Sequence, residues 1–257
     1  MASTPTLLFQ AGVQLVSAIL YLWVGRTVIQ RDVEGEAKRA NYLFAFFWIS
    51  LGLVFLMVPL FTIPTQILGY RDLAFAVTLL NLLLILIAAA VWGLVYFLVY
   101  LYTGSRRWFW PITIFYLALA VILVYLVAWI NPTGFKDDGT LQYSQQQFTG
   151  LPAIALGLMF SLPVVLAALA YGSLFFRVHD PTPRYRIGMV AGAFLIQFGW
   201  STLSSVLQLQ SKYPNSLALS LVGSLLAILA AVAILLAYRP PRAIRERLEA
   251  AARSGGG

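Results

Sequence analysis

Seven apolar stretches, each long enough to cross a bilayer as a helix, account for most of this sequence. A membrane-spanning helix needs about 20 consecutive, mainly apolar residues. The stretches that meet this length are 6–30, 42–68, 73–102, 108–130, 151–176, 186–210 and 216–238. Only 10% of the residues are charged, compared with about 25% in a typical soluble domain. We therefore expect an all-α fold, an integral membrane bundle of seven transmembrane helices within residues 1–241, and no separate soluble domain.

The Lys and Arg residues are distributed unequally over the loops that join these stretches. When successive loops are assigned alternately to the two sides of a membrane, most of the 17 basic residues fall on one side. The other side receives only Arg71, Lys136 and Lys212. Because cytoplasmic loops are enriched in Lys and Arg, the sequence predicts that the N-terminus lies outside and the C-terminus lies in the cytoplasm. The expected location is the cell membrane, as a multi-pass protein.

A short charged segment follows the last apolar stretch. After Tyr238 the chain turns at "RPPR" and continues as "AIRERLEAAARS", in which Ile244, Leu248 and Ala251 fall on one helical face. Residues 242–257 are therefore predicted to form a cytoplasmic amphipathic helix on the inner membrane surface, followed by a flexible tail. The alternative is that this helix docks a protein partner.

Prolines and one turn sequence predict departures from straight helices. Pro59 and Pro64 lie near the end of the second stretch and Pro163 lies in the fifth. Since proline lacks the N–H that a helix interior needs, we expect kinks or an unwound turn at these positions. In segment 131–150, residues suited to strands flank the turn sequence "DDG", which predicts a small β-hairpin over the outer end of the bundle.

The residue types present exclude several classes of membrane protein. There is no cysteine and His179 is the only histidine, which excludes disulfides, thiolate metal sites and haem held by paired histidines. No lysine lies within an apolar stretch, so a retinal protein linked through a Schiff base is excluded as well. All nine carboxylates lie in loops, at helix ends or in the tail. Asp72 is the carboxylate nearest to a span, and it is expected to pair with Arg71.

The lack of ionisable groups inside the stretches also limits the chemistry that we expect. Proton-coupled transporters usually place a carboxylate within the membrane, and a catalytic serine needs an adjacent base. We therefore expect no enzymatic activity, no cofactor and no metal. The net charge of +8 arises from residues that flank apolar spans rather than from a basic domain, so no nucleic-acid partner is expected.

Polar side chains follow one face of the sixth stretch. The residues on this face are Gln197, Ser201, Ser204 and Gln208. Their spacing of four, three and four residues is that of one side of a helix. The opposite side carries Gly188, Gly192 and Gly199. Small residues in this arrangement predict that a neighbouring helix approaches closely.

A similar polar face occurs in the first stretch, where it is formed by Gln10, Gln14, Ser17 and Tyr21. In the predicted orientation, polar residues of five stretches lie mainly in the outer half of the membrane. The inner halves of the third and seventh stretches are almost entirely apolar. We infer a cavity that opens to the extracytoplasmic side and is closed below by apolar side chains.

The predicted ligand-binding residues are those that face this cavity. They are Gln10, Gln14, Asn81, Gln197, Trp200, Ser201, Ser204 and Gln208. Trp200 flanks the polar face of the sixth stretch and is expected to close one wall of the cavity. The alternative interpretation is that the polar side chains only join helices through hydrogen bonds, which require no cavity.

These observations favour a non-enzymatic, seven-helix membrane receptor or sensor-like protein that binds a neutral or apolar small molecule. Because segment 242–257 is too short for an output domain, a cytoplasmic or membrane protein partner is expected to receive the signal. Two alternatives remain open. One is a facilitator or transporter subunit for a neutral or lipidic solute, and the other is an accessory structural subunit of a larger membrane complex.

Overall fold

The computed structural model describes residues 4–31, 35–130, 132–143, 151–206 and 217–254. These residues are mostly helical, with eight α-helices and one two-stranded sheet. The helices are α1 (Thr4–Ile29), α2 (Gly35–Thr62), α3 (Leu73–Thr103), α4 (Phe109–Ile130), α5 (Leu151–Arg177), α6 (Pro181–Val206), α7 (Leu217–Tyr238) and α8 (Arg242–Ser254). Helices α1 to α7 coincide with the predicted apolar stretches where these are described, except that α2 ends at Thr62, before the end of the second stretch. Helix α8 confirms the predicted C-terminal helix.

Four segments are long and apolar enough to cross a membrane, judged on the described residues alone. They are Pro5–Ile29, Lys38–Ile67, Leu73–Thr103 and Leu221–Tyr238. These segments are consistent with a membrane protein. Helices α4, α5 and α6 are not among the four, so the number of seven spans and their orientation stay predictions.

The helices pack mainly against their neighbours in chain order. In addition, α1 packs against α7, and α3 packs against α5. The contact between α1 and α7 brings the first and seventh helices together and closes the bundle. Helix α8 packs against α6, and Ile244 and Leu248 are the half-buried residues of its predicted apolar face.

Helices α1 and α2 are in close contact because glycines replace side chains where they cross. A Cβ atom at Gly25 would collide with Ile49, and one at Gly52 would lie 3.0 Å from Leu22 Cγ and 3.1 Å from the backbone oxygen of Ala18. Close backbone approach of this kind increases van der Waals contact between membrane helices.

The glycine face of α6 does not make the predicted close contacts along its length. A Cβ atom at Gly188 would lie 3.0 Å from the ring of Phe175, whereas Gly192 and Gly199 have no described atom within 4 Å of that position. A close contact is therefore found at Gly188, and at Gly192 and Gly199 the described residues show none. The spacing of small residues shows where a helix can approach, but it does not fix which neighbour the fold places there.

The predicted interruption of the second stretch is confirmed at Pro64. Helix α2 is followed by a π-helical turn, Ile63–Ile67. The N–H of Leu68 donates to the backbone oxygen of Ile63 at 3.0 Å, so the hydrogen bond spans five residues instead of four. By contrast, α2 and α5 continue through Pro59 and Pro163.

The predicted β-hairpin is also confirmed, by strands β1 (Pro132–Phe135) and β2 (Leu141–Tyr143), which pair antiparallel. The turn between them contacts the π-helical turn, since a Cβ atom at Gly139 would lie 2.5 Å from the backbone oxygen of Thr65. Gly139 also has a φ angle of 80°, which glycine adopts without strain. The guanidinium of Arg71 donates to the backbone oxygens of Lys136 and Asp137 and so fixes the hairpin to the start of α3.

Replacing Gly52 with alanine tests the close contact of α1 and α2. We expect Gly52→Ala to lower the free energy of unfolding by about 1–3 kcal/mol, because the added methyl group meets the α1 backbone, which cannot move aside. Gly12→Ala is the matched control, since a Cβ atom there has no described atom within 4 Å. Thermal unfolding in mild detergent measures both variants. Equal stability of the two variants would contradict the close contact.

Candidate ligand site among helices α1, α6 and α7

The polar face of α1 is directed into the bundle. Gln14 is 8% exposed, and Ser17 and Tyr21 are completely buried. The Ser17 hydroxyl donates to the backbone oxygen of Val13 at 3.0 Å, so its hydrogen bond stays within the helix. Gln10, one turn before Gln14, is half-buried. The side chains available to contact other helices or a ligand are therefore mainly the amide of Gln14 and the phenol of Tyr21.

Gln14 connects α1 to α7. Its side-chain nitrogen Nε2 donates to Ser224 Oγ at 2.5 Å. Its side-chain oxygen Oε1 is buried and has no hydrogen-bond partner among the described residues. A buried polar atom without a partner costs about 1–3 kcal/mol. Gln14 Oε1 is thus an unused acceptor, directed into the bundle, that a donor group of a ligand would satisfy.

Tyr21 connects α1 to α6, about two turns deeper in the bundle. Its hydroxyl donates to Gln197 Oε1 at 3.1 Å. The ring of Tyr21 is stacked on Trp48 at 5.4 Å and on Phe55 at 5.3 Å between centroids. The hydrogen bonds of Gln14 and Gln197 agree with the alternative interpretation, in which polar side chains only join helices. That interpretation does not explain why Gln14 Oε1 has no described partner.

Trp200 lies on the side of α6 that contacts α7. A Cβ atom at Gly223 would be 3.2 Å from Trp200 Nε1, and Gly223 directly precedes Ser224, the partner of Gln14. The indole therefore lies beside the α1–α7 contact. Ser201 and Ser204 are in α6, but their side chains are not among those described, and Gln208 lies outside the described residues.

Asn81 is separated from the other predicted residues. Helical spacing puts it on the same face of α3 as Leu84 and Ala88, and Ala88 packs in a cluster with Tyr116 of α4 and Met159 of α5. Asn81 Oδ1 is buried without a described hydrogen-bond partner. The structure thus brings together Gln14, Gln197 and Trp200 around α1, α6 and α7, and places Asn81 on the α4–α5 side of the bundle.

Buried aromatic rings fill the bundle from the level of Tyr21 towards its basic end. This aromatic core consists of Phe44, Phe47, Trp48, Phe97, Tyr171 and Phe194. At its centre, the ring of Trp48 lies 4.7 Å from that of Phe47 and 5.6 Å from that of Phe194. Such ring contacts stabilise beyond the area that they bury. Side chains from the third and seventh stretches, including Leu94 and Ile234, pack in the same cluster. That this cluster closes a cavity from below stays a prediction.

The end of α7 is held by two cations, one from α6 and one from the segment that follows α1. The guanidinium groups of Arg31 and Arg186 each lie 5.7 Å from the centre of the Tyr238 ring. Arg186 also donates through Nε to the backbone oxygen of Ala237 at 3.3 Å. This contact satisfies one of the carbonyl groups that the end of a helix leaves free. Pro240 and Pro241 follow directly and lead into α8.

Two cavities are evident in the described part of the chain, and neither contains a predicted site residue. One, of about 840 Å³, lies between the beginning of α2 and the end of α3. The other, of about 430 Å³, lies between α3 and α5 and is lined by Leu98, Tyr102 and Leu169 among others. A ligand near Gln14 would therefore need a space that differs from both cavities.

The carboxylates at the hairpin end have structural roles. Asp72 accepts the backbone N–H groups of Ala74 at 2.9 Å and Phe75 at 3.2 Å, and so caps the start of α3. The N–H of Phe75 and the hydroxyl of Tyr70 hold the pKa of Asp72 below its usual range. Likewise, the Thr140 hydroxyl lowers the pKa of Asp138.

The predicted pair between Arg71 and Asp72 is wrong for the described structure. Arg71 binds hairpin carbonyls, and Asp72 binds backbone N–H groups and Tyr70 instead. Neighbouring opposite charges in a sequence favour an ion pair only when no better partners are nearby. Within the described residues, no three His, Cys, Asp or Glu side chains come together as a metal site requires.

Comparison with known proteins does not place the chain in a family. No protein-family model matches the sequence, and no curated protein matches it. The function is therefore inferred from the contacts of this chain.

The bond between Tyr21 and Gln197 can be measured with a double-mutant cycle. Tyr21→Phe keeps the stacked ring and Gln197→Met keeps the side-chain length, so each substitution removes little besides the hydrogen bond. We expect a coupling free energy of about 0.6 kcal/mol, the average for hydrogen bonds between membrane helices. Tyr21→Phe combined with Asn81→Leu is the control and should be additive to within about 0.3–0.5 kcal/mol. If the changes in the free energy of unfolding caused by Tyr21→Phe and Gln197→Met simply add in the double variant, the bond is contradicted.

Proposed function

We propose that this protein is a seven-pass membrane receptor or sensor without catalytic activity of its own. In this proposal its N-terminus lies outside and its C-terminus lies in the cytoplasm, and a neutral or apolar ligand binds among α1, α6 and α7. The observation that carries the proposal is the buried amide of Gln14, which donates to Ser224 and whose oxygen has no hydrogen-bond partner among the described residues. Buried acceptors are usually satisfied, so this oxygen is a candidate for binding a donor group of a ligand. Asn81 Oδ1 also has no described partner, but it lies away from α1, α6 and α7.

The chemistry around Gln14 limits the type of ligand. An unused amide oxygen selects a hydrogen-bond donor, such as a hydroxyl or amide N–H group. The described hydrogen-bond partner of Gln14 is the uncharged Ser224 hydroxyl, and the Trp200 indole lies against Gly223, the residue that precedes Ser224. A neutral, partly apolar molecule with one donor group is therefore the best match. Ser201, Ser204 and Gln208 of the predicted polar face would extend the same site.

The contacts below this site provide a route for a signal. Tyr21 contacts Gln197 and also stacks on Trp48, so it joins the proposed site to the aromatic core. The core extends to Tyr238, whose ring lies 6.3 Å from that of Phe44. Tyr238 in turn contacts the basic end of the bundle through Arg31 and Arg186. A ligand that shifts α1 relative to α7 would change this chain of contacts.

The aromatic core favours a receptor over a facilitator. A solute that crosses the membrane through the bundle needs a polar path or one that can open through both halves. In this chain, the rings of Phe44, Phe47, Trp48 and Phe194 are at most 2% exposed and pack on one another. Opening a path through them would separate several stacked rings at once.

One observation favours the accessory subunit as a second candidate. Gly192 and Gly199 of α6 have no described atom within 4 Å of a Cβ position. A helix of another membrane protein could approach this face closely. Copurification of a stoichiometric partner that is lost in Gly192→Leu but kept in Gly172→Leu, which also has free space on α5, would support this candidate.

The proposed topology can be tested by cysteine labelling, because the chain has no cysteine of its own. We expect Asp137→Cys, in the exposed hairpin turn, to react with a membrane-impermeant maleimide on intact cells. Arg245→Cys, in the exposed surface of α8, should react only after the membrane is permeabilised. The reverse pattern, or labelling of both positions on the same side, would contradict the topology.

The proposed ligand site can be tested with a panel of neutral molecules that each carry a hydrogen-bond donor. We expect at least one of them to raise the unfolding temperature of the wild-type protein in detergent. Gln14→Leu should weaken that binding about three- to tenfold, the loss expected for one buried hydrogen bond of roughly 0.7–1.4 kcal/mol.

Asn81→Leu is the matched control for this experiment. It makes the same change from an amide to an aliphatic side chain, but on the α4–α5 side of the bundle, and should leave the binding constant unchanged. Equal losses in both variants, or no response of the wild-type protein to any member of the panel, would count against the site.

A further inference from the structure

A groove with basic side chains at its rim lies at the end of the bundle opposite the hairpin. It runs between the first turns of α2 and the last turns of α3, and its volume is about 840 Å³. Lys38 and Arg39 come from the start of α2, and Arg106 comes from the turn that follows α3. These two parts of the chain are remote in sequence, and the antiparallel packing of α2 and α3 brings them to the same end.

The three cations of the rim are available to a ligand. Lys38, Arg39 and Arg106 are all exposed. No described ion pair involves any of them, and the described lining of the groove contains no carboxylate. Three cations around one groove, none with an ion-pair partner among the described side chains, favour an anionic group. Phosphate fits in particular, because arginine can bind it through two parallel hydrogen bonds.

The floor of the groove has the opposite chemistry. Phe46 lies edge-on to Trp92, with 5.6 Å between ring centroids and an angle of 89°. Gly93 makes room for Phe46, because a Cβ atom there would be only 2.8 Å from its ring. The Trp92 Nε1–H already donates to Thr113 Oγ1 at 3.0 Å. The indole therefore presents an apolar surface to the groove.

The depth of the floor argues for a ligand with an apolar chain. Phe46 lies eight residues after Lys38, and Trp92 lies eleven residues before the end of α3 at Thr103. At 1.5 Å per residue these positions are about 12 Å and 16 Å below the rim. That depth is about half of a hydrocarbon core of roughly 30 Å. A free phosphate would occupy only the rim and leave the floor uncovered.

We propose that this groove binds an anionic phospholipid. Its phosphate is held by Lys38, Arg39 and Arg106, and one acyl chain lies along Tyr42, Phe46 and Trp92. The inference rests on the proposed topology, which puts this end of the bundle at the cytoplasmic leaflet, where anionic lipids attract basic residues. It does not depend on the ligand site near Gln14.

Lipid retention by the purified protein tests the groove directly. Native mass spectrometry from detergent measures how much phosphatidylglycerol the protein retains, compared with phosphatidylcholine of the same acyl chains. Binding of glycerol phosphate is measured as well, to represent the free headgroup. The groove variant is Lys38→Gln/Arg39→Gln/Arg106→Gln. The control variant is Arg242→Gln/Arg245→Gln/Arg253→Gln in α8, which removes the same charge from exposed positions.

The wild-type protein and the α8 control are expected to retain phosphatidylglycerol in preference to phosphatidylcholine. The groove variant should lose at least about tenfold in affinity for phosphatidylglycerol, since each basic residue near an anionic lipid surface contributes on the order of 1 kcal/mol. Phe46→Gln, which keeps the cations, should weaken the binding of lipid and leave the weak binding of glycerol phosphate unchanged.

Three outcomes would overturn the proposal. They are equal losses in the groove and α8 variants, equal retention of the two lipids, and binding of glycerol phosphate as tight as that of phosphatidylglycerol. The last outcome would identify a site for a soluble anion. Labelling of Asp137→Cys and Arg245→Cys tests the topology separately, so a failure of the lipid site with correct labelling would leave the proposed topology intact.

Discussion

Ring packing around Trp48 is the interaction on which the centre of this bundle depends. In a membrane, helices gain little by burying apolar surface against one another, because lipid is equally apolar, and they associate through close van der Waals contact instead. Trp48 is completely buried and contacts rings from α1, α2 and α6. The glycines where α1 crosses α2 bring the two helices close enough for Tyr21 to stack on Trp48. Close approach of the backbone and stacking of the rings thus support each other.

The hydrogen bonds between helices contribute differently from this packing. The Tyr21 hydroxyl and the Gln197 oxygen satisfy each other, and such bonds between membrane helices contribute about 0.6 kcal/mol on average. Gln14 satisfies only its donor, and its unused oxygen costs about 1–3 kcal/mol. As far as the described residues go, Gln14 is therefore poorly explained by stability alone. This imbalance is the physical reason for proposing that a ligand binds at the α1–α7 contact rather than at the α1–α6 contact.

Sequence patterns predicted the helices and the hairpin of this fold better than they predicted which helices contact one another. Long apolar stretches located the helices and the turn sequence at 137–139 located the hairpin, because both signals are local. Asn81 was expected to face the same cavity as the polar residues of the first and sixth stretches, but nothing local to the third stretch shows which neighbour its face meets. The groove was also missed, since its cations come from positions 38, 39 and 106. Each of these segments on its own has the basic residues that commonly flank a membrane-spanning helix. Only the packing of α2 against α3 brings the cations of the two segments together.

The junction between α7 and α8 has little freedom to absorb movement. Arg31 and Arg186 both contact the ring of Tyr238, and Arg239 donates to the side chain of Gln30 next to the end of α1. Two consecutive prolines then fix the φ angles of the connection near −65°. A stiff connector transmits rotation instead of damping it. Turning α7 about its axis would consequently swing α8 as a lever, and a small change deep in the bundle would become a larger displacement at the surface.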